Sequence, residues 1–268
     1  MAASTQRPLA IVTGASAGIG AEYARQLAAQ GYDLLLTARR ADRLLKLATE
    51  LQDSYQVQCR TCAADLVDPA APEQIYAAAT QDGADIDLLV NNAGFGVAGA
   101  YASQTWQAHE AFLQVMVTAV CHLTHRVLPG MLARQRGAIV NVASVAGLIP
   151  GSAGNTLYGA AKSLMIGFSE ALAAEVRNAG IRVQVVCPGF TLSEFHDVLG
   201  TRERVSRMPG VMWLSAERVV ADSLAALQRR RPPVVVIPGW IYRVLVMLSR
   251  KLPHRWLLAA MHRRPSRH

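Results

Sequence analysis

A doubly wound α/β fold, meaning a parallel sheet with helices on both faces, is predicted by three features of this 268-residue chain. Short runs rich in β-branched residues alternate with longer segments of helical periodicity almost to the end. A glycine-rich turn stands between the first strand and the first helix. No linker rich in Gly, Ser or Pro, no internal repeat and no low-complexity tract divides the sequence. One domain therefore accounts for the alternation, and right-handed crossovers cover both faces of its sheet.

Seven strands are placed near 8–13, 33–38, 56–62, 86–90, 137–143, 181–187 and 233–237. The first begins with the continuous apolar run Leu9-Ala10-Ile11-Val12. Helices are placed near 18–30, 40–52, 71–82, 104–132, 155–179 and 215–229, where apolar residues return at helical spacing, as in Leu164, Phe168, Leu172 and Val176. From Trp240 onward, Ile241, Val244, Leu245 and Leu248 share helical spacing with Arg243, Arg250, Lys251 and Arg255 interleaved. Pro253 divides that stretch, and Trp256-Leu257-Leu258 opens a second short apolar face before Arg263-Arg264.

Composition narrows the function classes. With 51% hydrophobic and 17% charged residues, the chain can fill a core and is not a disordered one. No stretch approaches the roughly 20 uninterrupted apolar residues of a membrane span, and residues 1–12 lack a signal-peptide core, so a soluble cytoplasmic protein is expected. The net charge of +8 is uneven: residues 1–200 carry 13 basic and 16 acidic side chains, residues 201–268 carry 14 and 3. A tail-confined excess fits a local anionic contact, at a membrane periphery or a partner, better than nucleic acid, for which no recognised module or aromatic platform is present. Of the four cysteines only Cys59 and Cys62 are suggestively spaced; no second pair matches them, so no metal is expected and all four read as small buried residues.

Three constellations carry chemistry. Thr13-Gly14-Ala15-Ser16-Ala17-Gly18-Ile19-Gly20 joins a strand to a helix, where missing Cβ atoms let backbone approach a pyrophosphate and helix-start N–H groups face its charge. Its spacing, Gly-x-x-x-Gly-x-Gly, differs from the Gly-x-Gly-x-x-Gly fingerprint. The second strand ends in Leu36-Thr37-Ala38-Arg39-Arg40, where an acid for a ribose 2′-hydroxyl would stand. Two guanidinium groups there would attract a 2′-phosphate, which favours NADP(H). The third is Tyr158-Gly159-Ala160-Ala161-Lys162, preceded by Ser144. Four residues apart on a helix, the Lys162 ammonium can approach the Tyr158 phenol and should lower its pKa, while Ser144 can hold the same substrate oxygen.

These motifs in this order resemble the short-chain dehydrogenase/reductase family, of the NADP-preferring kind with a single Rossmann domain, over residues 8–237. Further marks are Asp65-Leu66, Asn91-Asn92-Ala93-Gly94, Asn141-Val142-Ala143-Ser144 and Pro188-Gly189. The resemblance implies catalysis by Ser144, Tyr158 and Lys162. It implies a cofactor site formed by Gly14, Ser16, Gly18, Ile19, Gly20, Arg39, Arg40, Asp65, Leu66, Asn91, Ala93, Gly94, Tyr158, Lys162, Pro188, Gly189 and Thr191. Asp65 and Leu66 would border the adenine, Asn91 and its neighbours the adenosine side, Lys162 the nicotinamide ribose, and Pro188-Gly189 the nicotinamide, with Thr191 near its carboxamide. It also implies a homodimer or homotetramer, built on helices like those near 104–132 and 155–179.

One position departs from the family pattern. An asparagine that supports proton resupply is expected in the helix before Leu128-Pro129, and Met116 stands there. A thioether is a weak acceptor and no donor, which puts the relay in doubt but not the hydride geometry. In the family the segment around 190–214 forms a lid over the substrate, and here it contains Phe190, Leu192, Phe195, Val198, Leu199, Val205, Met208, Val211, Met212, Trp213 and Leu214. So apolar a lid suggests a bulky, apolar carbonyl or alcohol, and packing on the core is the alternative. Residues 1–238 then form the domain and 239–268 a basic amphipathic C-terminal extension, suited to a membrane surface, a neighbouring protomer or the substrate mouth. The expected activity is NADP(H)-dependent interconversion of a carbonyl and an alcohol; the competing reading is a cofactor-binding sensor or scaffold with impaired turnover.

Overall fold

The computed structural model describes residues 7–97, 99–151, 154, 156–192 and 209–252. Its strands are β1 (Leu9–Thr13), β2 (Asp33–Ala38), β3 (Cys59–Ala63), β4 (Ile86–Asn91), β5 (Gly137–Val142), β6 (Ile181–Val186) and β7 (Val235–Val236). All pair in parallel, in the order β3-β2-β1-β4-β5-β6-β7. Strand order reverses between β1 and β4. The crevice beyond the carboxyl ends of those two strands is where an open α/β sheet receives its ligand.

The helices are α1 (Gly18–Ala29), α2 (Ala41–Tyr55), α3 (Ala71–Thr80), α4 (Trp106–Leu113), α5 (Ala119–Arg134), α6 (Thr156–Glu175), α7 (Ala216–Leu227) and α8 (Trp240–Lys251). One core layer packs Val12, Leu36 and Val90 against Leu27 of α1, Leu44 of α2 and Leu224 of α7. The other packs Ile11, Leu35 and Leu89 against Ile75 of α3, Leu123 of α5 and Leu172 of α6. Because alternate residues of each strand serve opposite layers, the apolar runs are continuous rather than alternating. Thr105 and Ser215 open α4 and α7 by accepting from Ala108 N and Arg218 N, at 3.3 and 3.2 Å.

Two expectations are adjusted. The helix placed at 104–132 is α4, then a π-helical turn over Gln114–Thr118, then α5. By length and composition the stretch Trp106–Arg134 could cross a membrane, yet its Leu123, Val127 and Met131 fill the second core layer. The last strand shrinks to Val235–Val236, since Pro232, Pro233 and Pro238 around it cannot donate to a ladder. In α8 the buried residues are Tyr242 and Val246, and Val244, Leu245 and Leu248 of the apolar face are exposed, as a face turned away from the core would be. The residues Phe195, Val198, Leu199, Val205 and Met208 of the lid, and Trp256, Leu257, Leu258, Arg255, Arg263 and Arg264 of the tail, lie outside the described residues.

Cys59 packs with the first core layer and Cys62 with the second, so their odd spacing along β3 sends the thiols to opposite faces. They cannot act as a pair. Burial pushes the Cys59 thiol up to about 12 and the Cys62 thiol up as well, which keeps both protonated and unreactive.

Candidate active site

The glycine turn leaves β1 through Thr13, whose hydroxyl donates to Val90 O at 3.3 Å and accepts from Asn92 N and Ala93 N at 2.9 and 3.0 Å. Asn92 Nδ2 donates back to Thr13 O and Gly14 O at 2.9 and 3.3 Å. Thr13 and Asn92 thus weld the ends of β1 and β4, a role that no single motif announced. Gly14 (φ 67°) and Gly18 (φ 56°) adopt the left-handed conformation that side chains resist. A Cβ on Gly20 would lie 2.3 Å from Gly14 O, so the start of α1 closes on the turn only without one. No side chain caps α1 at Ala17, and its first turn holds no acid. Ser16 and Ile19 complete a helix start whose N–H groups suit an anion.

At the end of β2, Arg40 donates to Ser16 Oγ from Nη2 at 3.0 Å and from Nε at 3.4 Å, joining a guanidinium to the glycine turn. Arg39 is exposed beside it. Asp65 is spent on its own loop, accepting from Val67 N at 3.1 Å, with Leu66 buried next to it. These residues fit a dinucleotide: an uncapped helix start for the pyrophosphate, glycines where Cβ atoms would intrude, and a cation in place of an acid at the ribose end.

Asn91 departs from its expected place on the adenosine side. Its Nδ2 donates to Asn141 Oδ1 at 2.9 Å and Thr124 Oγ1 at 3.2 Å, and Asn141 donates to Ser169 Oγ at 2.9 Å. The alternation of β4 turns this side chain toward α5 and α6, so it braces the sheet rather than lining the crevice. Ala93 and Gly94 follow it into the crevice loop. Ala93 Cα would stand 2.8 Å from a Cβ on Gly14.

Ser144 ends β5 and caps a single 3-10 turn, Val145–Gly147, by accepting from Ala146 N at 3.1 Å. A Cβ on Gly147 would lie 2.6 Å from the Lys162 backbone, so this glycine seats α6 against the serine turn. Tyr158 then reaches Ser144 in a hydroxyl–hydroxyl hydrogen bond. Lys162 Nζ lies 5.7 Å from the centre of the Tyr158 ring and donates to Val142 O at 2.8 Å. The three predicted catalytic residues are brought together. The electrostatics differ from the expectation: burial pushes the Tyr158 phenol up to about 12 against the opposing Ser144 bond, and burial lowers Lys162 to about 8. Desolvation outweighs the cation because Lys162 is itself 8% exposed and partnered by a neutral carbonyl.

Pro188 carries the next wall. Its carbonyl accepts from Val145 N at 3.0 Å, tying the loop after β6 to the serine turn. Thr191 Oγ1 donates to Gly189 O at 3.1 Å, and Thr191 forms a bridge with Leu214. Leu192 N donates to Leu214 O and Leu214 N to Phe190 O, both at 2.9 Å, so the segments ending at Leu192 and leading through Leu214 are paired. Phe190 and Trp213 pack there with ring centres 5.8 Å apart. Tyr158 also lines a shallow cleft together with Val97, Tyr101, His109, Phe112 and Leu157.

Met116 occupies the π-helical turn, 3% exposed, in a cluster with Phe112 and Ala161 against which Tyr158 packs. Its sulfur fills the space beside Gly94, 2.9 Å from where a Cβ would be. It therefore serves as packing under the crevice loop. Sequence reading also missed Tyr242, whose hydroxyl accepts from Phe190 N at 2.9 Å.

Comparison with known proteins agrees with this geometry. The family model of short chain dehydrogenases matches residues 8–204. A very-long-chain 3-oxoacyl-CoA reductase from Homo sapiens is 31% identical over 269 residues, covering 90% of this chain and 79% of the human protein. A short-chain dehydrogenase from Sphingobium yanoikuyae, solved in complex with NADPH, superposes with a TM-score of 0.81 at 31% identity, over 97% of this chain and 98% of that one. A 7beta-hydroxysteroid dehydrogenase structure gives a TM-score of 0.84 at 26% identity, over 95% and 96%. With the family model matching residues 8–204 and a relative at 31% identity covering 90% of the chain, this chain belongs to the short-chain dehydrogenase family of oxidoreductases.

Proposed function

We propose that the protein is an NADP(H)-dependent oxidoreductase that interconverts a carbonyl and an alcohol on a bulky, apolar substrate. The observation that carries this reading is the Tyr158 hydroxyl, hydrogen-bonded to Ser144, on a residue that also lines a cleft with Val97, Tyr101, Phe112 and Leu157. NADP(H), when bound, supplies or accepts the hydride. A phenol held at about 12 keeps its proton at neutral pH and acts as the donor to a carbonyl oxygen, which favours reduction. Ser144 orients that oxygen, and the Lys162 ammonium stabilises negative charge as it grows on the phenol. Loss of NADPH absorbance with a panel of steroid, fatty-acyl, sphingoid-type and small aromatic carbonyls tests the reading. Binding of NADPH without turnover of any of them would point to a sensor instead.

Preference for the 2′-phosphate rests on Arg40 beside Ser16. Arg40→Ala is expected to raise KM for NADPH by about 10–100-fold, the worth of a hydrogen bond to a charged group, with KM for NADH changed much less. Equal effects on both cofactors would remove this assignment.

The outer face of α8 exposes Trp240, Val244, Met247 and Leu248 along one helical stripe, flanked by Arg243, Arg250 and Lys251, and α8 carries no acid. We propose that this face lies on an anionic headgroup layer, for which its charge is complementary. The full chain is expected to float with phosphatidylserine-containing vesicles more than with pure phosphatidylcholine, and a Val244→Glu, Leu248→Glu variant to stay behind. Equal partitioning would remove the proposal. Homo-oligomerisation through α5 and α6, which expose Leu132 and Leu164, is a further proposal that light scattering at a monomer mass would sink.

A further inference from the structure

We propose that Tyr242, on the C-terminal helix, is a positioning residue for the nicotinamide half of the cofactor site, acting through the backbone of Gly189 and Phe190. The inference rests on the NADP(H) reading above.

The loop after β6 has few regular ladder bonds to hold it, so its shape depends on what grips it from each side. From the sheet side, Val145 N donates to Pro188 O at 3.0 Å, directly after Ser144. From the opposite side, beside the Leu214 backbone and the Trp213 ring, comes the side chain of Tyr242. Tyr242 Oη accepts from Phe190 N at 2.9 Å and donates to Met212 O at 2.6 Å. One hydroxyl thereby bridges the outgoing and returning arms of the lid. Its ring covers Gly189 so closely that a Cβ there would sit 1.9 Å from Tyr242 Cζ. Gly189 is thus the vacancy into which the ring fits. The ring in turn is fixed by its helix: Tyr242 is 4% exposed, Gly239 (φ 77°) turns the chain into α8, and Arg243 Nε donates to Ile237 O at 3.1 Å.

The loop held between the Ser144 turn and Tyr242 is the wall at the nicotinamide end of the crevice, whereas Arg40 and Ser16 stand at the ribose-phosphate end. Loosening Tyr242 should therefore weaken one half of the dinucleotide and spare the other. A residue that merely stabilised the fold would affect both alike.

Tyr242→Phe keeps the ring over Gly189 and removes both bonds of the hydroxyl. Losing one such bridge is expected to raise Kd for NADPH by roughly 10-fold, with Kd for 2′,5′-ADP, which lacks the nicotinamide half, held within about twofold. Fluorescence titration reads the first and competition the second. Both affinities falling together, or neither, overturns the proposal. If the wild type binds neither ligand, the cofactor reading itself falls and Tyr242's role with it. Hydrogen exchange supplies an independent check that needs no variant: the Phe190 amide should exchange slowly in the unliganded wild type, and rapid exchange there overturns the bridge directly.

Discussion

Replacing Tyr158 by phenylalanine is expected to lower kcat by about 10²–10⁴-fold, the usual worth of a positioned general acid, with NADPH affinity little changed. The phenol is hydrogen-bonded to Ser144 and its residue lines the cleft, and its burial holds it at about 12, so it enters each reductive cycle protonated. Phenylalanine fills the same space beside Met116 and Ala161, so the loss would report the missing proton and not a collapsed site. Following NADPH oxidation with an accepted carbonyl, alongside a binding titration, separates the two quantities. A Phe variant as fast as the wild type would sink the assignment and favour the sensor.

Lys162→Met should have an effect of comparable size on turnover and a second, distinctive effect on stability. Burial lowers the folded-state pKa of Lys162 from 10.5 to about 8. Between those values the unfolded chain binds the proton that the folded chain has released, so this lysine's contribution to stability rises with pH through that window. Below about 8 both states are protonated and the folded protein bears the full cost of the buried ammonium. Relative to the Met variant, the wild type is therefore expected to gain about 3 kcal/mol from the lower end of the window to the upper. Tyr158 and Cys187, both pushed up to about 12 by burial, bend the curve the other way at high pH; because the Lys162 charge lowers the Cys187 thiol, the two proteins are compared from the lower end of the window, where the folded thiol stays protonated. Denaturant unfolding of the pair across that window isolates the lysine. Parallel curves would mean that Lys162 is not buried as a cation. The same cost marks Lys162 as a residue kept for chemistry, since a methionine of similar length would pack there without it.

Much of this was legible in the sequence because it is written locally. All seven strands fall within about three residues of their expected bounds, as continuous apolar runs such as Leu9–Val12 must when both faces are covered. Ser144, Tyr158 and Lys162 converge because helix spacing and the end of a strand fix them. What stayed hidden depends on contacts between distant segments. The hydrogen bonds of Thr13 with Asn92, and of Tyr242 with Phe190 and Met212, join parts of the chain whose proximity only the fold creates. Helical spacing marked Ile241, Val244, Leu245 and Leu248 as an apolar face but gave no sign that Tyr242 would be the residue buried against Gly189. The expected fall in the Tyr158 pKa failed for a related reason: spacing gives the separation of a cation and a phenol, not the dryness around them.

The chain of amides and hydroxyls through Asn91 and Asn141 bears on how the sheet finds its alignment. These two residues are direct partners across β4 and β5. A slip of one position would swing one amide onto the opposite layer, among Val12, Val90 and Val140, and strand its donors and acceptors in hydrocarbon. Apolar side chains alone would tolerate such an error far more cheaply, since both layers are greasy. The asparagine pair thus works as a register mark, since only the native alignment keeps its donors and acceptors satisfied beneath the crevice.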